Sequence, residues 1–191
     1  MLSQILLIIL SAVYWVLAPA VLLRFYMQLL SLPFRNPVGQ FVRAVTDWIV
    51  LPLRRIFKGV GYDWASLIAA YLFELAYIFL GSAVYLRFAA YATPVGLARW
   101  LVAGVFGMAA TVVALLIVLL IAYVVLSWVV RERNVTADML TVMVAPLLRP
   151  VRRHMPLVGG FDLSPLVLGV LLQIIYVMLI YAQAAVMTLI R

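Results

Sequence analysis

The stretch Asn36–Ser66, NPVGQFVRAVTDWIVLPLRRIFKGVGYDWAS, decides the fold, because Asn134–Pro165, NVTADMLTVMVAPLLRPVRRHMPLVGGFDLSP, repeats its pattern 98 residues later. Both stretches contain a Pro-x-Arg-Arg tetrad followed by an Asp, and both lie between two long apolar runs. A fixed internal period of this kind is the signature of a duplicated structural unit. The sequence therefore predicts two repeats of a helical membrane hairpin, residues 1–90 and 91–191.

The composition excludes most classes of soluble protein. Of the 191 residues 69% are hydrophobic and 10% are charged, and the mean hydropathy is +1.23, whereas globular domains are about 45–50% apolar and about 25% charged. The chain has no cysteine, which excludes disulfides and Cys-ligated metal centres. The net charge of +8 comes from basic residues between the apolar runs, so we expect contact with anionic membrane lipid and not with nucleic acid.

Four apolar segments are long enough to cross the hydrocarbon core of a bilayer as helices, which takes about 20 residues. They are Leu2–Leu23, Trp64–Leu86, Leu101–Val130 and Leu163–Ile190. The predicted fold class is therefore all-α, with four transmembrane helices.

The basic residues are divided unevenly among the three connectors. Six lie at or within the first connector and five lie in the third, whereas only two flank the middle connector. Since Lys and Arg are enriched in cytoplasmic loops, the first and third connectors are predicted to be cytoplasmic and both termini periplasmic. Each repeat has two spans, so the repeats share one orientation and are parallel, unlike the inverted repeats of many transporters.

Both basic connectors have apolar residues at helical spacing, over residues 38–57 and 135–148. Asn36-Pro37 is a favourable helix start, with Asn as the cap and Pro at the first helical position. Such segments, with tryptophan and basic residues at their edge, are typical of amphipathic helices that lie in the membrane interface. The alternative is a loop that packs on its own bundle.

The tetrads and the acids that follow them form a predicted contact surface at the cytoplasmic face. Asp63 and Asp162 each precede an apolar span, where a carboxylate can accept the unpaired backbone N–H groups of a helix start. Each Asp is also close enough in sequence to pair with the Arg-Arg of its own tetrad. The arginines attract anionic headgroups at about 1 kcal/mol each. They are Arg54, Arg55, Arg152 and Arg153.

Glu74 is the one acidic residue deep in a predicted span, where a charge costs about 2.5–3.5 kcal/mol. The offset of 99 residues between Asp63 and Asp162 gives Gln173 as its counterpart. We expect Glu74 and Gln173 to form an intramembrane polar pair that holds spans together. The alternative is an ion or proton site.

The sequence contains no motif for catalysis or for binding a cofactor. We find no P-loop and no Ser/His/Asp set. His154 is the only histidine, so a haem or metal site would lack ligands within one chain. We therefore expect no enzyme activity and no cofactor, and we interpret His154 as an interfacial side chain beside the second tetrad.

The second copy carries a recognisable signature. The run Ala145–Arg153, APLLRPVRR, is followed by Gly159-Gly160 and by Asp162-Leu163-Ser164-Pro165. This resembles the signature of the YggT (YlmG) family, which is P-x-x-x-P-x-R-R, a glycine turn and D-x-S-P; the first copy has Trp48 in place of the leading proline. The resemblance implies a bacterial inner-membrane protein with chloroplast relatives. It also implies links to osmotic-shock tolerance, to cell-division gene neighbourhoods and, in plastids, to nucleoid organisation and haem attachment on cytochrome b6.

The sequence is compatible with two kinds of function. The first is a non-catalytic membrane protein that organises or assembles components, whose basic connector helices contact anionic lipid, an acidic cytoplasmic protein or another membrane protein. The second is a small ion- or solute-conducting unit, or a transport accessory, built around Glu74 and Gln173. A conductor requires a continuous polar path, which one acid per chain supplies only if a homo-oligomer gathers several around one axis.

Overall fold

The computed structural model describes residues 2–57, 62–84, 94–129, 135–154 and 162–190, and within these ranges it contains six α-helices and no strand. The helices are α1 (Leu2–Leu29), α2 (Pro37–Ile56), α3 (Trp64–Val84), α4 (Pro94–Val129), α5 (Val135–His154) and α6 (Ser164–Leu189). Asn134 and the glycine turn at 159–160 lie outside the described residues, as do Gly59 and Gly61 between the first tetrad and Asp63.

Helices α1, α3, α4 and α6 are long and apolar enough to cross a membrane, which confirms the four predicted spans and the all-α class. Two of them exceed the predicted bounds, since α1 continues past Leu23 and α4 begins before Leu101. Helix α4 has 36 residues. At about 1.5 Å per residue it is about 54 Å long, whereas the hydrocarbon core of a bilayer is about 30 Å thick. The ends of α4 therefore extend beyond the length that a span requires.

The two basic connectors are helical over 20 residues each, as α2 and α5. Helix α2 begins where it was predicted to begin, because the Asn36 side chain accepts the Gly39 N–H at 2.6 Å and Pro37 follows in the first turn. Helix α5 differs from the prediction at its end, since it continues past residue 148 through Pro150 to His154. Both Pro-x-Arg-Arg tetrads therefore belong to the last turns of these helices.

The helices pack as two hairpins, each with its connector helix. Helix α1 packs against α3 with α2 contacting both, and α4 packs against α6 with α5 contacting both; contacts of α4 with α3 and α1 join the two hairpins. The Tyr26 hydroxyl of α1 donates to the Met143 carbonyl of α5 at 2.6 Å, so α2 and α5 lie at the same end of the bundle. We call α1–α3 the first half and α4–α6 the second half.

Helices α3 and α4 approach closely at two glycines. A Cβ atom added at Gly104 would lie 2.5 Å from Leu75, and one added at Gly107 would lie 2.1 Å from the Glu74 carboxylate. Both distances are shorter than real Cβ contacts. Small residues of this kind let membrane helices pack with their backbones close together.

Arg99, near the start of α4, binds the end of α6. Its Nε donates to the Ile190 carbonyl at 2.7 Å, and its Nη2 donates to the Met187 carbonyl at 3.0 Å. The last carbonyls of a helix have no partner within that helix. Arg99 therefore satisfies acceptors that α6 cannot satisfy itself.

Candidate functional site

The first tetrad contributes an ion pair between the half-buried Arg54 and the buried Asp63. Arg54 binds both carboxylate oxygens of Asp63, with Nη2 2.5 Å from Oδ2 and Nε 3.1 Å from Oδ1. Arg54 also donates to Gln28 at 3.0 Å, and the Ser66 hydroxyl donates to Asp63 Oδ2 at 2.6 Å. Burial alone would raise the pKa of Asp63, but the hydrogen bonds from Arg54 and Ser66 outweigh it and hold the pKa below its ordinary value.

The second tetrad forms a corresponding ion pair. Arg152 Nε and Nη2 lie 2.9 Å and 2.6 Å from Asp162 Oδ2, and Nη2 also donates to the Tyr123 hydroxyl at 3.2 Å. The Ser164 hydroxyl donates to Asp162 Oδ1. This hydrogen bond, together with the Arg152 guanidinium, holds the pKa of Asp162 below its ordinary value.

The two aspartates contribute differently to the helix starts. Asp162 accepts the backbone N–H of Ser164 at 2.9 Å from one position before the N-cap residue Leu163, and Pro165 follows in the first turn of α6. The Asp63 carboxylate is instead occupied by side chains, and it is the Asp63 backbone carbonyl that accepts the Ser66 N–H at 3.0 Å. Asp63 therefore contacts the start of α3 through Ser66, and its ion pair connects that start to the end of α2.

The second arginine of each tetrad is in a different environment from the first. Arg55 and Arg153 are both exposed. Neither forms an ion pair with another described residue. Each half therefore presents one arginine engaged by aspartate and, beside it, one arginine available at the surface.

The expected pairing of Glu74 with Gln173 is not formed. Glu74 is buried, whereas Gln173 lies on an exposed part of α6 and makes no hydrogen bond to a described residue. Leu172, one position before Gln173 in α6, is instead buried to nearly the same extent as Glu74. The predicted intramembrane polar pair is therefore wrong with respect to Gln173.

Gln173 was selected because the alignment of the two halves was taken from Asp63 and Asp162, which are 99 residues apart. Asp63 is three residues before Ser66, but Asp162 is two residues before Ser164, so the offset between the halves returns from 99 to 98 at the serines. A shift of one residue rotates a position by about 100° around a helix, which moves Gln173 off the buried face. The buried positions follow the offset of 98: Ser66, Ala70 and Glu74 in α3 correspond to Ser164, Leu168 and Leu172 in α6.

Glu74 belongs to a buried cluster of hydroxyl groups from three helices. The Tyr14 hydroxyl of α1 donates to Glu74 Oε2 and lies 2.6 Å from Thr111 Oγ1 of α4. The Tyr77 ring stacks on Tyr14 with centroids 4.2 Å apart, and its hydroxyl is 3.3 Å from Ser11 Oγ. Sequence reasoning missed Tyr14 and Thr111, because the rotation of α1 and α4 against α3 is set by packing that one sequence does not reveal.

A second buried polar cluster surrounds Arg24, one of the six basic residues predicted to lie at or within the first connector. Arg24 is 3% exposed, and its Nη1 donates to Thr46 at 2.7 Å and to Asp47 at 2.6 Å, both in α2. The helical spacing could have indicated that Arg24 is buried, because Arg24 lies three residues after Val21 and three residues before Met27. Both of those apolar residues are fully buried.

The described residues contain no group of three or more His, Asp and Glu side chains that could hold a metal ion. His154 is exposed in the last turn of α5, and its Nδ1 lies 2.8 Å from the Pro150 carbonyl oxygen. The histidine therefore contacts the end of its own helix.

Four helices that suit a membrane, two connector helices at one end of the bundle and an Arg–Asp pair in each half define an all-helical membrane protein. The chain belongs to the CCB3/YggT family, whose model matches residues 2–84 and 102–183. This result confirms the resemblance seen in the sequence.

Several relatives cover most of the chain. The uncharacterized protein YggT of Escherichia coli strain K12 is 34% identical over 168 residues, which are 87% of this chain and 85% of the relative. An uncharacterized protein of Pseudomonas aeruginosa is 33% identical, over 86% of this chain and 83% of the relative. One from Vibrio alginolyticus is 32% identical, over 80% of this chain and 81% of the relative. No solved structure matches the chain significantly.

Proposed function

We propose that the chain is a non-catalytic protein of the bacterial inner membrane that organises or assembles components at the cytoplasmic surface. In this proposal the two halves are parallel repeats, 1–90 and 91–191. Both termini are periplasmic, and α2 and α5 lie along the cytoplasmic leaflet. The observation that carries the proposal is the exposed arginine that stands beside an engaged one in each half.

The exposed surface of α2 supports a position in the membrane interface. Val42, Thr46 and Val50 are buried on one face of the helix, whereas Phe41 and Trp48 are 58% and 60% exposed. Exposing two large aromatic rings to water is unfavourable. Aromatic residues with basic neighbours are typical of the boundary between lipid headgroups and acyl chains.

The basic surface supports contact with anionic partners. The positive charges of Arg54 and Arg152 are compensated by aspartates within the protein. Arg55 and Arg153 have no such compensation among the described residues, so they attract anionic headgroups, at about 1 kcal/mol each. An acidic cytoplasmic protein, a membrane protein with an acidic rim or a second copy of this chain bound through the same face would use the same surface.

The double variant Arg55→Gln/Arg153→Gln tests this proposal. We expect it to fold, because both side chains are exposed, and to retain less anionic phospholipid per chain after purification. Bound lipid is measured by mass spectrometry of the extracted sample, and the fold by circular dichroism. The matched control Arg55→Lys/Arg153→Lys keeps both charges and should retain the wild-type amount. If the Gln variant also retains wild-type lipid and the same co-purifying proteins, the basic surface determines orientation only.

A second candidate function, conduction of an ion or proton, is favoured by the Glu74 cluster. Glu74 is the single acidic residue in the four candidate spans and is held by the Tyr14 hydroxyl. A conductor needs polar groups from one membrane face to the other. Among the described residues the cluster extends through Tyr77 to Ser11 and no further, and Gln173 is exposed away from it. The organising role therefore has the better support.

A further inference from the structure

A cleft of about 330 Å³ opens between the end of α1 and α2, and three arginines line it. The two carboxylates bound to these arginines are Asp47 and Asp63. Three positive and two negative charges leave the cluster with a net charge of +1. The lining residues are Arg24, Gln28, Phe34, Arg43, Leu51 and Arg54.

Arg24, which lines this cleft, has an unsatisfied donor. Its Nη1 is engaged by Thr46 and Asp47, but its Nε is buried without a hydrogen-bond partner among the described residues. A buried donor without an acceptor is unfavourable, and more so when the group is charged. Arg24 Nε therefore lacks an acceptor, and the same side chain lines the adjoining cleft.

Among its described residues the second half has no such cluster, although it keeps the counterpart of Arg54 in Arg152. The second half forms its hairpin and its Arg–Asp pair without these additional charges. The residues 98 positions after Arg24, Arg43 and Asp47 are Ala122, Thr141 and Ala145.

We propose that this cleft binds one phosphate group, with Arg24 and Arg43 as its principal donors. A phosphate oxygen accepts hydrogen bonds from several guanidinium N–H groups, and the planar fork of arginine suits that geometry. A phosphodiester carries one negative charge, which matches the net charge of the cluster. Phe34 and Leu51 give the cleft an apolar rim that suits the glycerol and upper acyl region of a phospholipid.

The phosphate is therefore assigned to the headgroup of an anionic phospholipid. This assignment rests on the proposed function in one respect, the position of α2 at the cytoplasmic leaflet. The binding chemistry itself, a phosphate held by arginines, does not depend on the organising role.

Native mass spectrometry of the full chain in detergent, titrated with phosphatidylglycerol, tests the site. The Arg43 side chain is 58% exposed, so Arg43→Gln removes one donor without disturbing the core. We expect this variant to bind about tenfold more weakly, as the loss of one charge-assisted hydrogen bond implies. Arg149→Gln, at an exposed position of α5, removes the same charge outside the cleft and should bind as wild type does. Equal weakening by both variants would overturn the proposal.

A double variant addresses Arg24, whose loss alone would leave Asp47 without its buried partner. Arg24→Gln/Asp47→Asn removes both charges together, so the net charge of the cleft stays at +1. We expect phosphatidylglycerol binding to weaken at least about tenfold, because the buried donors are gone. A folded double variant with wild-type affinity would contradict the proposal; should it not fold, the comparison of Arg43→Gln with Arg149→Gln decides.

Two further titrations identify the source of the phosphate. Phosphatidylcholine has the same diester but carries a compensating cation, so weaker binding than that of phosphatidylglycerol is expected. Inorganic phosphate that raises the melting temperature of the wild type but not of Arg43→Gln, without specific lipid binding, would overturn the lipid assignment. Absence of binding by all three ligands would overturn the site. The proposed function is tested at Arg55 and Arg153, outside the cleft, so the two proposals can fail separately.

Discussion

Glu74 of α3 and Leu172 of α6 lie 98 residues apart and are both buried, at 5% and 6% exposure. The same place in the two hairpins therefore holds a carboxylic acid in one half and a hydrocarbon in the other. Glu74 is accommodated because the Tyr14 hydroxyl donates to it, whereas Leu172 packs in the apolar core.

The contact between Gly107 and Glu74 predicts the effect of adding one methyl group. Gly107→Ala places a Cβ where the Glu74 carboxylate lies, and that carboxylate is fixed by Tyr14, so we expect a loss of about 1–3 kcal/mol of stability. The measurement is thermal unfolding in detergent. Gly81→Ala is the matched control, because its Cβ would meet no atom within 4 Å, and it should be neutral or slightly stabilising. Equal effects of the two changes would contradict the packing of α3 on α4.

Two substitutions of Glu74 separate a structural role from conduction. If the residue is structural, Glu74→Gln retains an acceptor for the Tyr14 hydroxyl and should change stability little, whereas Glu74→Leu should lower the melting temperature by leaving that hydroxyl without its acceptor. Flux is measured in proteoliposomes across a range of pH. We expect no flux that depends on Glu74. A reproducible pH-dependent flux, lost in Glu74→Gln at unchanged stability, would establish the conducting role instead.

The ion pair of Asp63 predicts a pH dependence of stability. The pKa of Asp63 is held below its ordinary value, so its contribution is fully present above about pH 4 and is lost as the pH falls through the folded-state pKa. Asp63→Asn should therefore lower the melting temperature at neutral pH and flatten its decline in acid. The control is Asp138→Asn, at an exposed position of α5, which should retain the wild-type profile. An unchanged acid profile in Asp63→Asn would show that the pair contributes nothing.

The uneven division of basic residues predicts the orientation of the chain. Reporter fusions at Thr93 and Arg191 should be active as periplasmic fusions, and one at Thr136 should be active as a cytoplasmic fusion. The opposite pattern would place α2 and α5 in the periplasm and would remove the proposed contact surface from the cytoplasm.

The helices and the ion pairs could be predicted because they depend on local sequence. Apolar length determines the spans, and the Asn36 cap and the helical period determine α2. Arg54 and Asp63 are nine residues apart, so their pairing requires only that one helix ends shortly before the next begins.

The Glu74 cluster could not be predicted, because its members are distant in the chain. Tyr14 lies 60 residues from Glu74 and 97 residues from Thr111, and whether they meet depends on the rotation of three helices about their axes. One residue of error in a repeat alignment was enough to select Gln173. The buried positions of the two halves correspond at an offset of 98 residues, and burial is known only once the helices are packed.

The bond from Arg99 to the end of α6 has a consequence for biosynthesis. Ile190 is 91 residues further along the chain, so the start of α4 is translated long before its acceptor exists. Arg54 and Asp63, by contrast, can meet within one short stretch of nascent chain. The Arg–Asp pair of each half can therefore form before α6 is complete, whereas the Arg99 bond forms only after the last turn of α6 has been translated. A ribosome that stalls before that turn leaves Arg99 without these carbonyl acceptors.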